Sequence, residues 1–175
     1  KGDYDMQGRL KQLRMTFGLD QRSFAEVIGR PVSQIEAWEK LGEPPSAEDL
    51  LMLEARLGVS PRWLSGEEVP IWGADLLELR EWLAEQIKTL SGSRLVTMIS
   101  ATTGERISYA VSLLRKKAPQ LFTLEVVACW LGLTVGSTEL LLRGDLDPGS
   151  PVIARASDLT GIPERWFRMG PVDLL

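Results

Sequence analysis

One stretch of this chain occurs twice. From Pro119 onward the residues repeat an earlier segment at a fixed offset of 103. Ala25 falls on Ala128, Gly29 on Gly132, Val32 on Val135 and Glu36 on Glu139; Pro45 falls on Pro148, Gly58 on Gly161, Arg62 on Arg165 and Trp63 on Trp166. Residues 25–66 laid on 128–169 without a gap give eight identities over 42 positions, where ordinary residue usage gives roughly two or three. Ile28 with Leu131, Lys40 with Arg143, Leu50 with Ile153, Val59 with Ile162 and Leu64 with Phe167 are conservative matches, and Asp20 falls on Thr123, both good helix caps. Two unrelated helical segments can share glycine and proline punctuation by accident. Accident does not readily keep the glycines, the loop proline and the Arg-Trp pair in one order without an insertion, so the expectation is two copies of one helical unit joined by a connector.

The periodicity is helical throughout, and no alternating run predicts a strand. A helix over 8–17 places Leu10, Leu13 and Phe17 on one face and stops at Gly18. Asp20 caps a second helix, 21–28; Gly29 turns the chain; and a third helix, about 32–41, turns Ile35 and Trp38 inward. After Gly42-Glu43-Pro44-Pro45, Ser46 caps a fourth helix with Glu48 and Asp49 in its first turn, where negative charge meets the positive helix end. Ser60-Pro61 starts a short fifth helix, and Glu67–Pro70 reads as a linker. A long helix over 74–90 carries the stripe Leu76, Leu79, Leu83, Ile87 and Leu90, and helices over 94–101 and 105–117 follow. The expected organisation is a five-helix domain over 8–66, a helical connector over 67–118 and a second copy over 119–170.

Composition narrows the chemistry. At 44% apolar and 25% charged, the chain can bury a core. It has no histidine and a single cysteine, Cys129. That removes Ser-His and Cys-His pairs, the commonest metal ligand and any internal disulfide. Cys129 lies in the apolar run 126–133, as an inert buried thiol does. No phosphate-binding or dinucleotide glycine fingerprint occurs, so the chain reads as neither an enzyme nor a cofactor binder. No apolar run reaches the roughly 18 residues of a membrane span, and Lys1–Gln7 lacks a signal-peptide core. With the single cysteine, this leads to an expected cytoplasmic location.

Residues 8–66 resemble the lambda-repressor-like, or Xre, helix-turn-helix family. The resemblance rests on Leu19-Asp20-Gln21, Phe24-Ala25-Glu26-Val27-Ile28-Gly29, Ile35-Glu36-Ala37-Trp38-Glu39, Pro44-Pro45-Ser46 and Leu57 through Leu64. It covers about a third of the chain and is specific, because a small residue at 25, a glycine at 29 and apolar residues at 28, 35 and 38 must all fall at fixed spacing. It implies an all-α DNA-binding domain, nucleoid-associated in a bacterial cell, whose third helix enters the major groove. Carried over by position, Val32, Ser33 and Ala37 would face base edges with Gln34 beside them. Gln21 would anchor a phosphate at the start of helix two, and Arg22, Arg30 and Lys40 would add phosphate contacts. Arg9, Lys11 and Arg14 are either further helpers or a solvated face. The implied partner is double-stranded DNA, and the implied role is a transcription regulator, most simply a repressor, acting as a homodimer.

The reading surface departs from the family's stronger readers. Val32 and Ala37 offer only apolar contact and Ser33 is ambiguous; only Gln34 could form a two-pronged contact with adenine. Pro31 replaces the usual cap of helix three. Net charge is −4 over the chain, but Gly8–Gly42 holds six basic and four acidic residues. In the second copy Leu124 replaces Gln21, and the helix after Thr134 presents Val135, Gly136 and Leu140, a degenerate DNA reader better suited to another protein. These features keep open a second reading, a protein-interaction module that retains the fold without binding DNA. The stripe Leu76, Leu79, Leu83, Ile87, Leu90 is either internal core or a short dimer seam.

Overall fold

The computed structural model describes residues 2–171, with side chains from Gly8 on. Its contacts divide the chain into two compact units that meet between Leu77 and Glu78. Among the described residues the regular structure is helical, with a single isolated antiparallel bridge between Val59 and Trp72.

The first unit holds α1 (Gly2–Thr16), α2 (Gln21–Ile28), α3 (Val32–Glu39), α4 (Ala47–Leu57), α5 (Pro61–Leu64) and the first turn of α6 (Ala74–Lys88). α1 packs on α3 and α5, α2 on α3 and α4, and α4 on α5. The sequence explains where each element stops. The Asp20 carboxylate accepts the Ser23 N–H at 2.8 Å and caps α2, and Gly29 ends α2 in the left-handed region at φ 72°. A side chain there would be strained and would press on the Arg56 guanidinium, 3.0 Å from where a Cβ would lie. Ser46 and Asp49 exchange hydrogen bonds in a capping box at the start of α4. Leu10, Leu13, Phe17, Phe24, Ile28, Ile35, Trp38, Leu53, Leu57 and Leu64 form the core.

The segment after α5, expected as a linker, folds back onto its own domain. The Ser60 N–H donates to the Ile71 carbonyl at 2.8 Å, and the Gly73 N–H donates to Gly58 at 2.7 Å. Trp72 meets Phe17 edge-on with 6.2 Å between ring centroids. Arg9 holds the same stretch by donating to the carbonyls of Trp63 (2.6 Å) and Glu67 (2.7 Å). Its guanidinium also lies over the Trp63 ring at 5.1 Å, so it works inside the fold.

The second unit holds the rest of α6, then α7 (Gly92–Ser100), α8 (Thr103–Lys117), α9 (Leu124–Leu131), α10 (Val135–Leu142), α11 (Ser150–Thr160) and α12 (Glu164–Met169). α8 packs on α10, α11 and α12, and α9 packs on α10 and α11. Residues 78–118 of the expected connector fall in this unit, where α8 contributes Ile107, Ala110, Val111 and Leu114 to the core. Thr123 caps α9 by accepting the Val126 N–H at 3.3 Å, and Gly132 and Gly161 end α9 and α11 at φ 68° and 75°. α9, α10 and α11 have the lengths of α2, α3 and α4, each displaced by 103 residues. No single described helix is long and apolar enough to cross a membrane; α9 and α10 meet the composition only as a pair bent by 94°. α9 is buried from Val126 to Leu131 within this unit.

Of the α6 stripe, Leu76, Leu83, Ile87 and Leu90 are buried within the single chain, and Leu79 is half-buried.

Candidate nucleic-acid interface

α2, the turn Gly29–Pro31 and α3 form a helix-turn-helix. The turn closes by the Gly29 N–H donating to Glu26 (3.3 Å) and the Arg30 N–H to Ala25 (3.0 Å). Ala25 is buried at the crossing, where a larger side chain would push the helices apart. Pro31 stands at the cap of α3 in extended conformation (φ −63°, ψ 147°) and gives no side-chain hydrogen bond to the helix. The first N–H groups of α3 therefore lack the cap that Asp20 supplies to α2.

Val32 and Ser33 are exposed at this open end, with Val32 40% accessible, and Gln34 is half-buried. Ala37 corrects the expectation of an outward reading position: it is buried at 8% accessibility. Its carbonyl accepts from the N–H groups of Leu41 and Glu43 at 3.2 and 3.1 Å, which closes the end of α3. The accessible face of α3 is therefore its first turn plus Glu36 and, at its end, Lys40.

Gln21 opens α2, and its amide donates to Glu39 Oε1 at 3.3 Å. Glu39 is itself held by Arg14, whose Nε and Nη2 donate to its two oxygens at 2.8 and 2.9 Å. Arg14 Nη1 also donates to the Leu19 carbonyl at 2.8 Å. The side chains of this ion pair are 10% and 5% accessible. The hydrogen bond from Arg14 to Glu39 raises the guanidinium pKa above its ordinary value against the opposing effect of burial. Arg14 is thus neither a phosphate helper nor a solvated residue. It fastens the end of α3 to α1 and, through Glu39, orients Gln21. Both charges sit on inward stripes, Arg14 with Leu10, Leu13 and Phe17, and Glu39 with Ile35 and Trp38; that was the signal in the sequence.

Arg22 and Lys40 are exposed. Arg30 is committed within the domain, its Nε donating to Asp49 Oδ1 at 3.1 Å. Asp20 brings a carboxylate to the mouth of α2; hydrogen bonds from Ser23 hold its pKa below the ordinary value. The Trp38 indole N–H is buried without a hydrogen-bond partner among the described residues.

Residues 10–64 match a family model described as helix-turn-helix, spanning the core residue Leu10 through the end of α5. The chain therefore carries an amino-terminal helix-turn-helix domain of the Xre, lambda-repressor-like type in an all-α fold, a domain type that points to DNA-binding transcription regulation. No curated protein and no solved structure matches the chain.

Proposed function

We propose that the amino-terminal unit binds double-stranded DNA with α3 in the major groove, and that the chain is a sequence-specific transcription regulator acting as a repressor. The observation that carries this reading is the shared exposure of Val32 and Ser33 at an uncapped helix start, beside a Gln21 that Glu39 and Arg14 hold at the head of α2. Phosphate contacts would come from Gln21, Arg22 and Lys40, with Arg30 contributing through its accessible part. Base contacts would come from Val32, Ser33 and Gln34. Such a surface discriminates weakly by hydrogen bonding and leans on the shape of the duplex. A homodimer suits a two-fold operator with recognition helices about 34 Å apart. With most of the α6 stripe buried in its own chain, half-buried Leu79, beside the exposed Leu77, is the stripe residue left accessible to such a contact.

The second unit reads as a degenerate copy of the first. Supporting this are the common helix lengths at an offset of 103 and the paired caps at Asp20 and Thr123. The carbonyl at the matching position of α2 and α9 also accepts from an arginine in each, though from different places on α4 and α11: Arg56 to Val27 (3.3 Å) and Arg155 to Trp130 (2.7 Å). Leu124 replaces the anchoring Gln21, and α10 exposes Val135 and Leu140 at 38% and 37%. That surface favours a role in protein contact for this unit.

The test is a salt titration of binding to genomic DNA fragments with the purified full chain. Tight complexes at low salt whose affinity falls steeply as salt rises are expected. Failure of the folded protein to bind any fragment at low salt overturns the reading and leaves the protein-interaction module in its place.

A further inference from the structure

The helical period decides which side chain stands foremost on the exposed face of α3. At about 100° per residue, Val32, Glu36, Lys40 and Ser33 follow one another round the helix over an arc of about 100°. All four are exposed. Ile35, Ala37 and Trp38 are buried on the rest of the circle, and half-buried Gln34 points away from the arc. Glu36 therefore lies inside the accessible arc, with Val32 one turn before it and Lys40 one turn after it.

Its carboxylate is unengaged: among the described residues no hydrogen bond or ion pair reaches the Glu36 side chain. Other carboxylates of the first unit are taken up within the fold. Glu39 is held by Arg14 and Gln21, Asp20 by the Ser23 N–H, and Asp49 by Ser46 and Arg30. An ionised carboxylate offers acceptors only. In the major groove guanine presents N7 and O6 and thymine presents O4, all acceptors that repel it, and adenine sets its N6 donor beside the N7 acceptor. Cytosine presents its N4 amino group with no acceptor of its own beside it.

We infer that Glu36 sets base choice by accepting from cytosine N4, so that α3 requires a G·C pair in one orientation opposite its second turn. This rests on the reading that α3 occupies the major groove. The same charge works against every other pair. On unrelated sequence it meets acceptor edges and phosphates, which lowers binding there and raises the ratio of cognate to unrelated DNA. Lys40 on the same arc keeps that face from carrying a net negative charge. A surface whose other contacts are apolar or ambiguous thereby gains one directional discriminator.

Random-sequence duplexes are enriched in parallel on the natural full chain, Glu36→Gln and Glu36→Ala, and the enriched sequences are compared position by position. The natural chain is expected to enrich duplexes with a fixed cytosine, and exchanging that C·G pair for any other lowers affinity by about tenfold. Glu36→Gln moves the preference at that position to adenine, whose N6 and N7 a side-chain amide matches. Glu36→Ala removes the preference there and strengthens binding to unrelated duplex. Replacing the cytosine by its analogue without the amino group costs the natural chain about tenfold and costs Glu36→Ala nothing, which follows only from direct contact with N4. Both variants should melt with the natural chain, because the Glu36 side chain has no partner in the fold; the analogue duplex decides the matter if they do not. Failure of the natural chain to bind any duplex overturns this inference together with the reading it rests on. Enriched sequences that both variants leave unchanged, or a Glu36-dependent position that is not cytosine, overturn this inference alone.

Discussion

Arg14 and Glu39 make a two-pronged ion pair, at 2.8 and 2.9 Å, that ties the first helix to the end of the third in a place water hardly reaches. Removing one partner leaves the other charged, buried and uncompensated. Glu39→Gln should therefore destabilise the first unit by about 3–5 kcal/mol. Arg14→Met with Glu39→Leu should recover much of that loss, because two apolar side chains leave no orphan charge. Urea unfolding of the two variants beside the natural chain checks the order. The single variant should also weaken DNA binding, since Gln21 loses the group that orients it.

Three of the four cations on or near the helix-turn-helix divide into two classes. Arg22 and Lys40 are exposed, whereas Arg30 is paired with Asp49. Substituting Arg22 or Lys40 by alanine should lower affinity evenly across sequences, reduce the slope of log affinity against log salt by about 1, and leave unfolding unchanged. Arg30→Ala should lower affinity and also shift the unfolding midpoint downward. A fluorescence-anisotropy salt series beside a thermal melt separates the classes. Arg14, the fourth cation, is a fastener and belongs to neither.

The pH profile follows from which groups titrate. With no histidine in the chain and the Cys129 thiol pushed by burial up to about 11, no side chain has an ordinary titration between about pH 5 and 8, and stability should be flat there. At the acid end, burial raises the pKa of Asp49, but hydrogen bonds from Ser46 and Arg30 outweigh it and the net shift is downward. Asp20 is lowered as well. A depressed carboxylate contributes stability above its unfolded pKa and loses it as pH falls through the folded value. Stability should therefore drop only below about pH 4, and Asp49→Asn should flatten that drop. Urea midpoints from pH 2 to 8 measure both.

Arg106 satisfies the backbone carbonyls of Met98 and Ile99 in α7 and of Phe167 and Arg168 in α12. Burial lowers its pKa, with Glu105 opposing. Arg106→Met keeps much of the volume and removes every donor, leaving acceptors unpaired. It should cost on the order of 3 kcal/mol in the second unit and leave the first unit's melting unchanged. Amide hydrogen exchange resolved by segment tells the two units apart.

Much of this arrangement was legible before any coordinates. Helical periodicity located α2 through α4, the offset of 103 residues placed helices where α9 through α11 lie, and Asp20, Ser46 and Thr123 marked starts because a short oxygen-bearing side chain can satisfy an N–H three residues on. Two things were not legible. Ala37 lies on what a helical wheel treats as the open face, yet it is buried. Ile71–Gly73 pairs as an isolated bridge with no alternating run behind it, so no local pattern announces it. Both are set by tertiary packing and not by a local pattern. The Arg14–Glu39 pair lies between these cases: each charge sits on an apolar stripe, and the pairing follows once two such stripes face each other.

The covering of Gly58–Ser60 by Ile71–Gly73 fixes how much of this molecule is portable. The family match stops at Leu64, yet the Ser60 N–H and the Gly58 carbonyl find their partners seven or more residues beyond it. A piece excised at the motif's edge would leave Val59 and Phe17 facing solvent and a strip of backbone ready to adhere to its neighbours. Transplanting this reader onto another protein, or exchanging its α3 within a chimera, has to carry the chain through Gly73, so that the smallest heritable module is longer than the motif by which it is recognised.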